Sequence, residues 1–248
     1  MKTEYPIRLQ SFLAKSGWGS RRSCEQLIID GRVKVNSQVV RELGTKVDKD
    51  DAVYVDGVLA EPNERTYYYA LHKPAGYVCS NADPNESYFA RDLIDVPERN
   101  LLFNIGRLDK ESTGLVLFTN DGEISQLITH PSYEIEKEYL VNTDRTIMIE
   151  DLQEARHGIR IDDGRPYRIS RYKLETKRWV RIILTEGRNR EIRKIFTYLG
   201  YDVKKLIRIR IGTLELGDLA PAQFRRVTKD EIMSIVSNAR NKGQGGAR

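Results

Sequence analysis

The segment Gly106-Arg-Leu-Asp-Lys-Glu-Ser-Thr-Gly-Leu-Val-Leu-Phe-Thr-Asn-Asp-Gly122 constrains the fold of this chain more than any other. A polar loop carrying Asp109 runs directly into Leu115-Val-Leu-Phe118, a short continuous apolar run of the kind found in strands buried on both faces. Asn120 or Asp121 is placed to cap a helix bearing Ile124, Leu127 and Ile128, which stops near His130-Pro131. Residues 67–72 read as a strand ended by Lys73-Pro74, residues 138–141 as another, and residues 178–184 alternate in part. Residues 191–199 read as a compact helix with Ile192, Ile195, Phe196 and Leu199 inward and Gly200 as its C-cap. Strands and helices interleave without the regular spacing of βαβ units. The expected class is α+β, with a mixed, mainly antiparallel sheet.

The amino-terminal part reads as a separate small module. Leu9, Phe12 and Leu13 have helical spacing, and Gly17-Trp-Gly19 stops that helix. Ser20 is placed to cap the next, whose apolar face is Cys24, Leu27 and Ile28 and which closes at Asp30-Gly31. Arg32-Val-Lys-Val-Asn36 alternates like a half-exposed strand, and Val53-Tyr-Val55 before Asp56-Gly57 repeats that signal with a hairpin turn. Glu61-Pro-Asn-Glu-Arg65 has the composition of a linker. The expected division is therefore 1–61 for a small α/β module, 62–66 for the linker, 67–240 for a larger domain and 241–248 for a flexible, Gly-rich tail.

Charge adds a first hint of partner. Lys and Arg number 41 against 36 Asp and Glu, a net charge of +5, and their placement means more than the sum. Arg21, Arg22, Arg32 and Lys34 gather early; Arg181, Arg188, Arg190, Arg193, Lys194, Lys204, Lys205, Arg208 and Arg210 gather late. Such clusters suit a phosphate backbone. The two cysteines are too few for a disulfide framework. His72, His130 and His157 lie too far apart for metal-ligand spacing, so no metal is expected. The opening residues lack the apolar core of a signal peptide, and no stretch approaches a membrane span, so the cytoplasm is the expected location.

Chemistry centres on Asp109. Arg107 and several arginines downstream are placed to keep its carboxylate ionised in a partly desolvated site. By residue type alone, a loop aspartate capping a turn is the commoner case. The whole 106–122 segment, however, resembles the catalytic motif of pseudouridine synthases. The resemblance is to the branch acting on ribosomal RNA that includes the small-subunit enzyme and large-subunit types B, E and F. Arg8-Leu9, Ser20-Arg21-Arg22 and Gly31-Arg-Val-Lys-Val-Asn36, in that order, resemble the S4 RNA-binding module. His72-Lys-Pro-Ala-Gly76 resembles the Lys-Pro-x-Gly entry strand, and Glu136-Lys-Glu-Tyr139 the strand bearing the active-site tyrosine. Glu186-Gly-Arg-Asn-Arg-Glu-Ile-Arg193 with Lys205-Leu-Ile-Arg208 resembles the third motif. Leu219-Ala-Pro, Phe224-Arg and Thr228 resemble the closing segment, so ordered matches run from about Arg8 to Ile232. One departure is Ser112, where most relatives carry threonine and type F enzymes accept serine.

The resemblance implies a pseudouridine synthase catalytic fold behind an S4-like domain, and an isomerase that needs no cofactor. The reaction breaks the N1–C1′ bond of a uridine, turns the base and rejoins it through C5. Asp109 would be the catalytic carboxylate, either attacking C1′ or removing a sugar proton. Tyr139 would stack on the uracil, Arg193 would pair with Asp109, and Leu206 would be an apolar wall of the pocket. Arg107 would enter the space left by the extruded nucleotide, with Arg188 and Arg190 also binding substrate. Arg8, Ser20, Arg21, Arg22, Arg32, Lys34 and Asn36 would hold RNA. The expected partner is 23S ribosomal RNA or a large-subunit assembly intermediate, with 16S rRNA as the rival substrate. A non-catalytic S4-type assembly factor is the alternative from another class. An S4-containing methyltransferase would need a glycine-rich nucleotide-binding turn, and dense glycines occur only in the tail. With no heptad or long apolar surface, a monomer is expected.

Overall fold

A computed structural model describes residues 5–80 and 85–244, with side chains to Ser237. The chain divides into two units, Met1–Tyr67 with Val96–Leu102, and Tyr68–Asp95 with Phe103–Arg248. In the first unit, β1 (Ile7–Arg8), α1 (Leu9–Lys15) and α2 (Arg21–Ile29) precede β2 (Val33–Val35), β3 (Gln38–Val40), β4 (Lys46–Val47), β5 (Val53–Val55) and β6 (Val58–Leu59). The Ser20 hydroxyl accepts from the Ser23 amide at 3.1 Å and starts α2 as expected. Gly31, at φ +72°, turns the chain out of α2 in the left-handed conformation that a side chain would oppose. β1 pairs with β4, and β3-β2-β5-β6 form an antiparallel sheet. Leu9, Phe12, Leu13, Cys24, Ile28, Val33, Val47, Val53 and Val55 close the core between helices and strands.

The structure adds two details to the expected division. Residues 62–66 fall in the first unit, where the Asn63 amide donates to the Lys15 carbonyl at 3.1 Å. Val96–Leu102 also belongs to this unit. A Cβ placed at Gly17 would lie 3.1 Å from Leu101 Cδ2, so this excursion packs on the end of α1.

The second unit contains β7 (Tyr68–Lys73), β8 (Phe103–Ile105), β9 (Thr113–Thr119), α3 (Gly122–Thr129), β10 (Lys137–Thr143), α4 (Ile149–His157), β11 (Arg171–Thr176) and β12 (Trp179–Leu184). It continues through α5 (Glu191–Tyr198), β13 (Val203–Ile211), β14 (Leu214–Glu215), β15 (Phe224–Arg226) and α6 (Lys229–Gln244). Among the described residues, the sheet order is β11-β12-β10-β13-β9-β7-β15, with β14 on β13 and β8 on β9. Its pairings are antiparallel except β13–β9, which makes the sheet mixed and mainly antiparallel as expected. The α+β class holds. β9 is buried from Gly114 to Thr119, between β7 and β13. The Asp121 carboxylate caps α3 through the Glu123 and Ile124 amides.

The carboxy-terminal helix revises the expected tail. Thr228 and Glu231 exchange hydrogen bonds as a capping box: the Thr228 amide donates to Oε2 at 2.8 Å, and the Glu231 amide donates to Oγ1 at 3.2 Å. Once such a nucleus exists, each added residue gains a bond at little cost. α6 accordingly runs to Gln244, taking in the first part of the expected 241–248 tail; residues 245–248 lie outside the described residues. No helix among the described residues is long and apolar enough to cross a membrane.

Candidate active site

Strand register builds the floor of the site. In β10, Lys137 and Tyr139 share a face by alternation, opposite Leu184 and Ile182 of β12 and Ile211 and Arg208 of β13. Val141 extends the same face opposite Leu206. A cavity of about 540 Å³ opens over this face. Its walls come from the loop before β9, with Arg107, Asp109 and Ser112, and from the start of α5, with Arg188, Arg190 and Arg193. All the substrate and catalytic residues expected in this domain therefore line one cavity: Asp109, Tyr139, Arg193, Arg107, Leu206, Arg188 and Arg190. Tyr139 and Leu206 are buried.

The Asp109 loop is fixed by buried donors. Arg208, 2% exposed, donates from Nε to the Leu115 carbonyl at 2.7 Å and from Nη1 to the Arg107 carbonyl at 3.3 Å. Lys73, fully buried, donates from Nζ to the Pro74 carbonyl at 2.8 Å and to the Lys110 carbonyl at 3.1 Å. The Gly76 amide donates to the same Lys110 carbonyl, and the Ser112 amide closes a turn on the Asp109 carbonyl at 3.0 Å. At Gly114, φ is +106° and an added Cβ would lie 2.2 Å from the Arg208 carbonyl oxygen. Here β9 and β13 run parallel, with Arg208 opposite Gly114. Only glycine fits that junction, which explains its place in the motif.

One expected pairing is corrected. Arg190, not Arg193, is the cation nearest Asp109, with Nη1 4.0 Å from Oδ2. Arg190 is the N-cap of α5 at φ 50°, a left-handed turn that brings its side chain toward the loop. Arg193 sits within α5 and donates from Nη1 to the Val203 carbonyl at 3.1 Å. Arg188 is held by Glu186 at 2.7 Å and lies over the Tyr167 ring at 4.8 Å.

Three further ionisable groups shape the site. Burial pushes Lys73 down to about 8, although Cys79, Glu111 and Asp109 act against it. Burial, with Arg208 nearby, also pushes Lys137 down to about 8. Burial raises Glu191, whose carboxylate accepts from the Arg188 amide at 3.0 Å. Sequence reading gave Lys73, Lys137 and Arg208 no role of their own. The signal lay in the motif segments 72–76, 136–139 and 205–208, each of which contains one of them.

The expected RNA contacts of the first unit sort into two groups. Arg8, Arg21, Arg22 and Lys34 are exposed, with no ion pair among the described residues. Arg32 is instead bound to Asp56, through Nη2 to Oδ2 at 2.5 Å and through Nε to both oxygens at 3.1 Å. Asn36, at φ 56°, uses its side chain on Asp51 and on the Ala52 amide, each at 3.0 Å, and so braces a turn. Ser20 serves as the α2 cap.

Comparison with known proteins agrees with this architecture. The family model described as RNA pseudouridylate synthase matches residues 67–198, and that of the S4 domain matches residues 7–53. An uncharacterized RNA pseudouridine synthase of Mycobacterium leprae is 39% identical over 92% of each chain. The ribosomal large subunit pseudouridine synthase B of Bacillus subtilis is 37% identical, over 92% of this chain and 95% of that one. A crystal structure of a pseudouridylate synthase superposes with a TM-score of 0.69 at 30% identity, covering 93% of this chain and all of the other. The chain belongs to the RNA pseudouridylate synthases, which are isomerases, and carries an S4 RNA-binding domain ahead of its catalytic part.

Proposed function

We propose that this chain converts a uridine of 23S ribosomal RNA to pseudouridine in the cytoplasm, with Asp109 as the catalytic carboxylate. The observation that carries the reading is the placement of Asp109 and Tyr139 around one cavity, with the aspartate on a loop tied to buried donors. Rigid support and partial exposure suit a carboxylate that must meet C1′ of an extruded nucleoside. Tyr139 stacks on the uracil against Leu206, and Arg107, exposed at the cavity wall, fills the space left in the RNA. Arg190, with Nη1 4.0 Å from Oδ2, faces the Asp109 carboxylate in place of Arg193. Asp109 either attacks C1′ or takes a proton from the sugar; both routes need the same carboxylate in the same place. The large-subunit substrate is supported by the Bacillus relative, by the likeness of His130-Pro-Ser132, Glu134–Tyr139 and Glu186–Arg193 to type B enzymes, and by that of Lys110 and Ser112 to type F.

The test is to map pseudouridines in both ribosomal RNAs of a strain lacking the gene, by carbodiimide-dependent primer-extension stops. The wild-type gene should restore one missing site in 23S rRNA, and Asp109→Asn should restore none while its protein still binds rRNA. Restoration by Asp109→Asn defeats the catalytic assignment; a missing site in 16S rRNA alone moves the substrate to the small subunit.

A further inference from the structure

Three side-chain donors around the cavity are out of solvent and have no hydrogen-bond partner among the described residues: Ser112 Oγ, Arg193 Nε and Arg208 Nη2. A buried donor left unpaired is costly, and an acceptor arriving in the cavity removes that cost. Arg208 is the most telling of the three. Its Nε and Nη1 hold the Leu115 and Arg107 carbonyls, which leaves Nη2 with no acceptor among the described residues. Beside it on the same sheet face is Lys137, which donates to the Ile135 carbonyl at 3.0 Å. Burial and the neighbouring Arg208 together push this lysine down to about 8. Two like charges in a desolvated floor are unfavourable unless an anion faces them. Glu191 acts against that shift at Lys137, but burial raises Glu191 itself.

We infer that Arg208 and Lys137 form a cationic floor that holds the negative charge of the detached uracil. The inference rests on the isomerase reading above. When N1–C1′ breaks, both electrons leave with N1, and the charge spreads over N1, O2, O4 and C5 of the base. C1′ is meanwhile bonded by the Asp109 carboxylate, or relieved by loss of the C2′ proton to it. C5 then bonds to C1′, displacing the Asp109 carboxylate where that had bonded there; the C5 proton departs and N1 takes up one proton, so that no co-reactant is needed. A proton taken from C2′ returns there. The base carries its charge only between detachment and rejoining, so a floor matched to that charge accelerates the reaction instead of merely binding substrate. Tyr139 lies between the two cations by register, two residues from Lys137 and opposite Arg208, which sets the stacked base directly over them.

The test uses the full-length protein and a 23S rRNA fragment containing the mapped target, either as uridine tritiated at C5 or as 5-fluorouridine. Fluorine stabilises the uracil anion and so lessens the demand on the floor. Lys137→Met should slow single-turnover tritium release on the order of 10²-fold, the scale for removing one charge-stabilising donor. Consumption of 5-fluorouridine, followed by the retention time of the nucleoside, should slow at least about tenfold less on the same scale. Lys137→Arg should recover most of the lost rate, and RNA affinity should not change. Arg208→Lys keeps the charge but also alters the loop; Lys137→Met leaves the loop bonds intact and decides the matter. Equal losses on the two substrates, or no loss, overturn the inference while wild-type activity keeps the isomerase reading intact. If the wild-type protein converts neither substrate, the isomerase reading falls and takes the inference with it.

Discussion

The Asp109 loop and the S4 unit both depend on cations, but in opposite ways. Lys73 and Arg208 are buried and donate to backbone carbonyls of the chain itself. Arg21, Arg22 and Lys34 are exposed and have no ion pair within the protein among the described residues. The buried set ties down the loop of the proposed catalytic carboxylate, and bond making at C1′ demands such support. In the proposed function the exposed set would supply RNA affinity, for which charge matters and exact placement does not. Damage to the first set should therefore appear in rate and stability, and damage to the second in RNA affinity and its salt dependence.

The most severe test of the contrast is Gly114→Ala. The new methyl group meets the Arg208 carbonyl at 2.2 Å at a backbone angle that disfavours side chains. Strain and displacement together should cost on the order of 4 kcal/mol and abolish turnover. Urea unfolding measures it; an unchanged midpoint would show that the β9–β13 junction is looser than the contacts indicate. Next comes Lys73→Met, which removes one donor from the Lys110 carbonyl and leaves the Gly76 amide on it. The single-turnover rate should fall about 10²-fold with RNA affinity unchanged, since misplacement of a catalytic group by about 1 Å has that scale. A rate within threefold of wild type, roughly the scatter of single-site effects, would remove Lys73 from the positioning role.

The buried lysines also leave a pH signature. Lys73 and Lys137 fall from 10.5 to about 8 on folding, so below pH 8 the cost of burying both charges is fully present. Between about 8 and 10.5 the unfolded chain binds more protons than the folded one, and stability rises with pH. Cys24 works the other way above its ordinary value of 9.0, because burial pushes its thiol up to about 11. The interval from pH 8 to 9 isolates the lysines. The urea midpoint should climb there in the wild type and climb less in Lys73→Met; a falling midpoint would mean that the ammonium groups stabilise the fold.

How much of this was legible in the sequence depended on how local the cause was. The buried strand β9, the Asp121 cap of α3, the Ser20 cap of α2 and the inward face of α5 were all legible, because each follows from neighbours within one or two turns. β13 was not read as a strand: in Val203-Lys-Lys-Leu-Ile-Arg-Ile-Arg-Ile211, charges and two register shifts against β10 blur the alternation. α4, β11, β15 and α6 were also missed, α6 because Gly-rich composition near the end outweighed the capping box at Thr228 and Glu231. Lys73 and Arg208 escaped because these residue types are almost never fully buried, which makes a solvated reading the default. The partner of Asp109 depended on a left-handed turn at Arg190, and the return of Val96–Leu102 to the first unit on tertiary packing. Neither is written in a local pattern.

The exposed set is better tested by point changes than by deleting residues 1–60, since that deletion would also strip the packing of Val96–Leu102. Arg21→Ala with Arg22→Ala should leave the single-turnover rate at saturating RNA unchanged. The slope of log affinity against log salt should become shallower by roughly 1.4 to 1.8, the value for two lost phosphate contacts. An unchanged slope would place RNA on another face of the unit.

The smallest expected effect sharpens the comparison most, because it concerns a cation that looks exposed and is not free. Arg32 was grouped with Arg21 and Arg22 by sequence, yet its guanidinium is bound on two nitrogens by Asp56. To meet a phosphate it must give up that pair, or carry Asp56 toward the RNA and repel it. Arg32→Ala should therefore reduce affinity less than Arg21→Ala does, and shift the salt slope by well under the 0.7 to 0.9 of one phosphate contact. Asp56→Asn releases Arg32 without removing it, and should strengthen binding while steepening the slope. If Arg32→Ala instead costs as much as Arg21→Ala and Asp56→Asn changes nothing, the pair opens on binding. The line between cations held by the protein and cations offered to RNA would then have to be drawn by what each one meets in the complex.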